Sequence, residues 1–313
     1  MNHLCGYVHL PKEIERIMRM QPNPIFFGSA LGIQGTGKGK DVFLFEIERK
    51  LTGKVRAPHN QTIGDCVSQG VTGACEDLEF IQMAVDISFA FHPLSSEVIY
   101  GLARHQIGRD QCGSGDGAVV GWGVQAAKTY GVLPRAKYGK YDLTNYSGQI
   151  AKSFGAPRVG TPVELAEESK KYPIKEASSI QGPDFYSQAI DILANLGLIV
   201  TGSNQLYNDV RDVTGFCKPA GSGGHCTYYD GYTDNPKRPG IIYVQSWGLD
   251  MPTGGEKKIT LPHGREVTLP PGHFFIDADN FNKMHARDVE VWCITSETGF
   301  SKPDIDIEFS FYN

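Results

Sequence analysis

The chain has 313 residues and a formal net charge of −5, with 40% hydrophobic and 21% charged residues, the composition of an ordinary soluble globular protein. No run of Lys or Arg stands out, so neither a nucleic-acid backbone nor an anionic membrane surface is expected as a partner. No stretch approaches the roughly 20 apolar residues that a membrane-spanning helix needs.

The first residues, MNHLCGYVHLPKEIERIMRMQ, lack the apolar core of a secretory signal, which predicts a chain not exported by that route. Residues 1–58 read as a leader of mixed character. It contains a short helix over Glu13–Met20, a Pro-Asn-Pro break and the apolar segment Val42–Ile47. Between them, Gly32, Gly37 and Lys38 match part of a phosphate-binding loop. Gly39, however, stands where Ser or Thr would bind magnesium, so a surface loop is the better reading.

From Cys66, the apolar residues Val67, Val71, Ala74, Leu78, Ile81 and Val85 recur at steps of four and three, marking one face of a long helix. Further helices are expected over Ser95–Ile107, capped by Ser96, and over Gly121–Tyr130, ending at Gly131. Residues 139–183, rich in Gly, Pro, Ser and Lys, read as connecting structure. A helix over Phe185–Leu196 follows, and Leu198–Gly202 opens a strand-rich half containing CTYYDGY, IIYVQSW, the hairpin pair KKITL and REVTL, and HFFIDA. Helices first and strands later predict an α+β protein of two packed lobes. The tail DIDIEFSFYN places Ile305, Ile307, Phe309 and Phe311 on one face, as a half-buried strand would.

Seven cysteines at positions 5, 66, 75, 112, 217, 226 and 293, with no C-x-x-C pair, predict neither a zinc knuckle nor a disulfide framework. His92, His105, His263, His273 and His285 have no ligand spacing, and no metal or cofactor is expected. Cys66 alone stands at the start of a helix, where partial positive charge and free N–H groups lower a thiol pKa. Gln61 or Asn60, just upstream, offers a side-chain amide to an oxyanion. His225 follows a Gly-rich loop at the start of one strand and Gln245 ends the next; a hairpin would set them side by side, with the amide holding the imidazole tautomer.

In this order the chain resembles the papain-like cysteine peptidases, as a divergent bacterial or bacteriophage member. The resemblance rests on Gln61…Gly64-Asp65-Cys66, Leu94-Ser95, CGSGDGAVVGWGVQAAKTYGV, Gly224-His225…Gly231-Tyr232 and Ser246-Trp247-Gly248, over roughly residues 55–300. It implies a two-lobed α+β fold. A leader over 1–58 would precede a domain over 59–300, with a helical lobe over about 59–183 and an antiparallel β lobe over about 184–300; residues 301–313 would be a tail. It also implies Cys66 as nucleophile, His225 as base, Gln245 as orienting amide, Gln61 in the oxyanion site and Trp247 as a shield over the amide. Gly113, Gly115 and Gly117 would let the backbone approach an extended substrate, or form a flexible loop.

The departures from the family pattern are Gln245 where an Asn precedes Ser-Trp-Gly, Gln61 one residue closer to the cysteine, Val67 where an aromatic residue follows it, and Asp65 beside the thiol. Cys112 also lacks the family's disulfide partner, which agrees with a reducing compartment, and no inhibitory propeptide of the family type is recognisable in residues 1–58. Two function classes follow. One is a peptidase acting on a polypeptide or a cell-wall peptide. The other is a structural protein, for example a virion component joined to other assembly subunits, with a weak or unused site. The expected location is cytoplasmic or virion-associated.

Overall fold

Helix α3 (Cys66–Val85) runs through the middle of the molecule and meets both halves of it. A computed structural model describes residues 4–20, 36–86, 88–180, 184–286 and 290–295. Among these, the other helices are α1 (Pro11–Met20), α2 (Phe45–Thr52), α4 (Ser96–Gly101), α5 (Val120–Tyr130), α6 (Gly148–Phe154), α7 (Val163–Ser169), α8 (Phe185–Ala194) and α9 (Ala278–His285); α4 runs on into a wider turn over Leu102–Ile107. The strands are β1 (Asp41–Phe43), β2 (Lys137–Tyr138), β3 (Tyr141–Asp142), β4 (Glu176–Ser179), β5 (Leu198–Tyr207), β6 (Pro219–Thr233), β7 (Gly240–Val244), β8 (Lys257–Thr260), β9 (Glu266–Leu269), β10 (His273–Asp277) and β11 (Glu290–Thr295).

The main sheet is antiparallel in the order β10-β7-β6-β5-β11-β4, with β1 paired to the far end of β6 at Gly231–Thr233. The expected α+β class with an antiparallel sheet is borne out. β1 and α2 both come from the leader, and Val42, Phe43, Leu44 and Phe45 are buried in the common core. The apolar stretch read at Val42–Ile47 is therefore a strand turning directly into a helix. Gly32 lies outside the described residues; in the described part of the loop the Gly37 N–H donates to the Asp191 carboxylate at 2.7 Å and the Gly39 N–H to Asp234 at 2.7 Å. An anion would meet carboxylates there.

Residues 139–183 correct the sequence reading: their described part holds α6, α7 and the edge strand β4. Ser147 caps α6 by accepting from the Ile150 N–H, and Pro162 precedes α7. Helices of two turns are too short for an apolar period to be recognised, so composition dominated that reading. The tail reading at 304–313 lies outside the described residues.

The lobes are tied by interactions across the interface. Glu290 of β11 accepts from the Val120 N–H at 2.9 Å and the Gly121 N–H at 3.0 Å, satisfying the open end of α5 with a carboxylate. Arg56 ion-pairs with Glu48 of α2 at 2.8 Å and with Glu76 of α3 at 3.0 Å, and also with Asp77. Closest of all, α3 lies on β6 through two glycines one turn apart. A Cβ at Gly70 would come 3.2 Å from Cys226 Sγ, and one at Gly73 would come 2.7 Å from the Tyr228 ring. Gly73→Ala is therefore expected to destabilise the protein by about 1–3 kcal/mol through overpacking, although alanine favours a helix by about 1 kcal/mol over glycine. Urea unfolding reads the sign; a stabilised variant would mean that α3 does not need this close approach.

Candidate active site

The turn Thr62-Ile63-Gly64-Asp65 delivers Cys66 to the first position of α3, closed by an Asp65 N–H to Ile63 carbonyl bond of 2.9 Å. The Cys66 side chain is wholly buried, and its sulfur accepts from the Cys226 N–H of β6 at 3.3 Å. His225, the preceding residue on that strand, pairs in register with Ser203 of β5 and is also buried. Its imidazole stacks on the Trp247 indole with ring centroids 4.0 Å apart and planes 20° from parallel. Trp247 thus shields the histidine itself.

β6 and β7 form the expected hairpin, with Tyr228 opposite Val244, and Gln245 follows directly. The Gln245 amide is turned into its own loop: Oε1 accepts from the Trp247 N–H at 2.9 Å, and Nε2 donates to the Met251 carbonyl. It therefore holds the turn that carries Trp247. Asn60 forms a bridge with Trp247, and the Gln61 N–H donates to the Ser246 carbonyl at 2.9 Å, bringing the upstream amide alongside the Ser-Trp pair. Gln61 Oε1 accepts from the Ser246 hydroxyl, while Nε2 donates to Leu4 at 3.1 Å and Ile63 at 2.9 Å.

Of the three loop glycines, Gly117 lines the cleft; a Cβ there would come 2.7 Å from the Gly6 carbonyl. At Gly113 a Cβ would meet nothing within 4 Å, but φ of +55° puts that residue in the left-handed region. The loop is shaped from behind by Arg104, which is buried and donates to the carbonyls of Gly113 at 2.8 Å, Gly115 at 2.6 Å and Gly155 at 2.8 Å, and to that of Gly117.

The cleft is occupied by the chain's own N-terminal segment. The Gly6 and Tyr7 N–H groups both donate to the Gly224 carbonyl at 2.9 Å, Ala118 N–H donates to Gly6 at 2.8 Å, and Val8 N–H donates to Ala118 at 3.0 Å. Tyr7 and Ala118 form a parallel bridge, and the Leu4 carbonyl accepts from the Trp247 indole at 2.8 Å as well as from Gln61. Only glycine is possible at position 6, since any Cβ would collide with the Gly64 carbonyl. Burial pushes the Cys66 thiol up to about 12; the Cys226 and Gly6 backbone N–H groups oppose that rise, and Asp65 and Cys5 add to it. The thiol is protonated in this arrangement.

The same arrangement of elements occurs in solved structures. Xylellain, a cysteine protease from Xylella fastidiosa, superposes with a TM-score of 0.61 at 17% identity, over 93% of this chain and 96% of that one. The fold is papain-like. Procathepsin B S9 from Trypanosoma congolense gives a TM-score of 0.55 at 14% identity, over 92% of this chain and 85% of its own. A chain from work on the mite allergens Blo t 1 and Der p 1 gives 0.52 at 13%, over 90% and 77%. No family model and no curated protein matches the sequence.

Sequence reasoning missed Leu4–Val8, Arg104 and Tyr146 as parts of this site. Tyr146 donates to Asp65 Oδ2 at 3.0 Å and accepts from the Thr62 N–H at 3.3 Å, bracing the nucleophile's turn. No local signal marks any of them: Leu4–Val8 and Tyr146 act through partners distant in sequence, and Arg104 acts on loop carbonyls, which no residue pattern identifies. Gly6→Ala is expected to unseat the N-terminal segment. Losing even a few net backbone hydrogen bonds, worth about 0.5–1.5 kcal/mol each, should speed alkylation of Cys66 by roughly tenfold or more. Amide exchange at Tyr7, Val8 and Ala118 should accelerate with it. Unchanged labelling and exchange in Gly6→Ala would mean that the segment does not control access.

Proposed function

We propose that the protein is a thiol peptidase that hydrolyses an extended polypeptide through an acyl-enzyme on Cys66, held latent by its own Leu4–Val8 segment. One observation carries this reading. An extended peptide already lies in the cleft over Cys66, bonded to Ala118 on one wall and Gly224 on the other. A cleft that holds one extended chain by its backbone can hold another.

In the proposed reaction His225 takes the Cys66 proton once the cover has left and water reaches the sulfur. The thiolate attacks the scissile carbonyl carbon, and the negative charge moves to its oxygen. That oxygen is received by N–H groups at the start of α3 and by Gln61 Nε2, which is released when Leu4 withdraws. His225 then protonates the departing amine. A water gives its proton to His225 and attacks the thioester, releasing the acid and restoring Cys66. Gln245 serves through Trp247, by fixing the loop on which the indole stacks against the imidazole. A polypeptide or cell-wall peptide is the proposed substrate. No metal or cofactor takes part in this scheme.

A second reading is favoured by the engagement of Gln61 and Gln245 with the chain's own backbone. In it the papain-like fold serves as an assembly or virion component and the site is unused. The proposed location, cytoplasmic or virion-associated, follows these two readings. In the Gly6→Ala background, peptide hydrolysis should fall by about 10³-fold or more with Cys66→Ala or His225→Ala. Steady-state turnover of a mixed fluorogenic peptide set measures this. Absence of turnover, with alkylation at Cys66 indifferent to His225→Ala, would sink the peptidase reading in favour of the second.

A further inference from the structure

Asp65 is an unusual neighbour for a nucleophile. It is completely buried, immediately precedes Cys66 and occupies the capping position of α3 without capping it. Its Oδ2 accepts from Gln69 Nε2 at 2.8 Å and from the Tyr146 hydroxyl at 3.0 Å, while its Oδ1 is buried with no hydrogen-bond partner. A buried carboxylate oxygen left in this way is costly, and such sites are disproportionately functional.

The titratable and charged groups facing Asp65 are few. Cys66 comes from its own helix, Tyr146 from the loop after β3, and Glu97 and Tyr100 from α4. Glu97 is itself committed to Arg135 at 3.2 Å, to the Ser95 hydroxyl at 2.9 Å and to the Ser147 N–H at 2.8 Å. No cation contacts Asp65 directly among the described residues. Facing Cys66 are Cys5 of the N-terminal segment and Cys226 of β6, with His225 next to Cys226 on that strand. Until His225 takes a proton, the positive influence on the Asp65–Cys66 pair is the start of α3, where a helix supplies about half a unit of positive charge.

That is enough to support one anion in a desolvated site, and two adjacent anions there repel strongly. We propose that Asp65 and Cys66 compete for a single negative charge at the N-terminus of α3, so that the Cys66 thiolate forms more readily when Asp65 carries its proton. Asp65 is then a positioning residue that acts through the sulfur, and the pair titrates as a unit. Burial, working against the Gln69 and Tyr146 hydrogen bonds, raises the Asp65 carboxyl to about 7. Below that pH the carboxyl is neutral and leaves the thiol unhindered; above it, the new charge raises the thiol pKa. The consequence for activity rests on the peptidase reading, but the effect on the thiol does not.

The test is iodoacetamide alkylation of Cys66 in the full chain from pH 5.5 to 8.5, read by mass spectrometry, in wild type, Asp65→Asn and Tyr146→Phe. Opening of the N-terminal segment is common to wild type and Asp65→Asn, so it cancels in the ratio of their rates. The ratio of Asp65→Asn to wild type should be near one at pH 5.5 and should reach about tenfold at pH 8.5, as one unit of thiol pKa shift requires. Tyr146→Phe removes a bond to the charged carboxylate, so its rate should depart from that of Asp65→Asn at higher pH than wild type does. A ratio that is flat across the range, or Asp65→Asn slower throughout, overturns the proposal, as does Tyr146→Phe leaving the point of departure unmoved. A rising ratio in a protein without peptidase turnover would reject the peptidase reading and keep this one. A flat ratio in an active peptidase would do the reverse.

Discussion

The close seating of α3 on β6 is the constraint from which the rest of the site follows. Gly70 and Gly73 present no side chain to the strand, so the helix comes near enough for the Cys226 N–H to reach the Cys66 sulfur at 3.3 Å. The residue before Cys226 is His225, so the same contact that packs the core sets the histidine's stretch of β6 beside the first turn of α3. Larger residues at either glycine would push α3 away from β6 at this point. The Arg56 ion pairs and the Glu290 bonds to α5 hold the same interface from farther away.

The cleft that results is narrow and walled by backbone. Gly64 and Gly117 on the helical side face Gly224 on the sheet side, and the Leu4–Val8 segment lies between them with a glycine at its tightest point. Arg104 keeps the helical wall in shape by donating to four glycine carbonyls, which lets a glycine-rich loop be ordered without side-chain packing of its own. The cover has an electrostatic consequence as well as a steric one. It adds to the burial that raises the Cys66 thiol, while the Gly6 N–H it carries opposes that rise.

Much of this was legible in the residues. The apolar period from Val67 marked α3 with Cys66 in its first turn, although Val85 at its end is exposed, and the hairpins around His263-Gly264 and between β6 and β7 followed from alternating strands with turn residues between them. Cys66, His225 and Ser246-Trp247-Gly248 stand out in the sequence because those positions carry local signals: a helix start, a glycine-rich approach and a strand end. Residues 139–183 were misread because short helices such as α6 and α7 owe their stability to tertiary packing rather than to a period of their own. The departures noted in sequence at Asp65 and Gln245 acquired meaning only with partners: Tyr146 and Gln69 for the first, Trp247 and Met251 for the second.

The amino-acid sequence by itself determined the α+β class, the long helix with its cysteine at the first turn, and the hairpin that carries histidine and amide. Each of these is written in periodicity or turn chemistry within a few tens of residues. Only the tertiary structure decided that the N-terminal segment fills the cleft, that Gln245 serves the tryptophan loop, and that Asp65 stands buried beside the thiol with one oxygen unpartnered. Those features depend on backbone carbonyls, burial and contacts between residues as far apart as Leu4 and Trp247. Desolvation and long-range hydrogen bonding leave no pattern along a chain, because they arise only when distant segments are brought together.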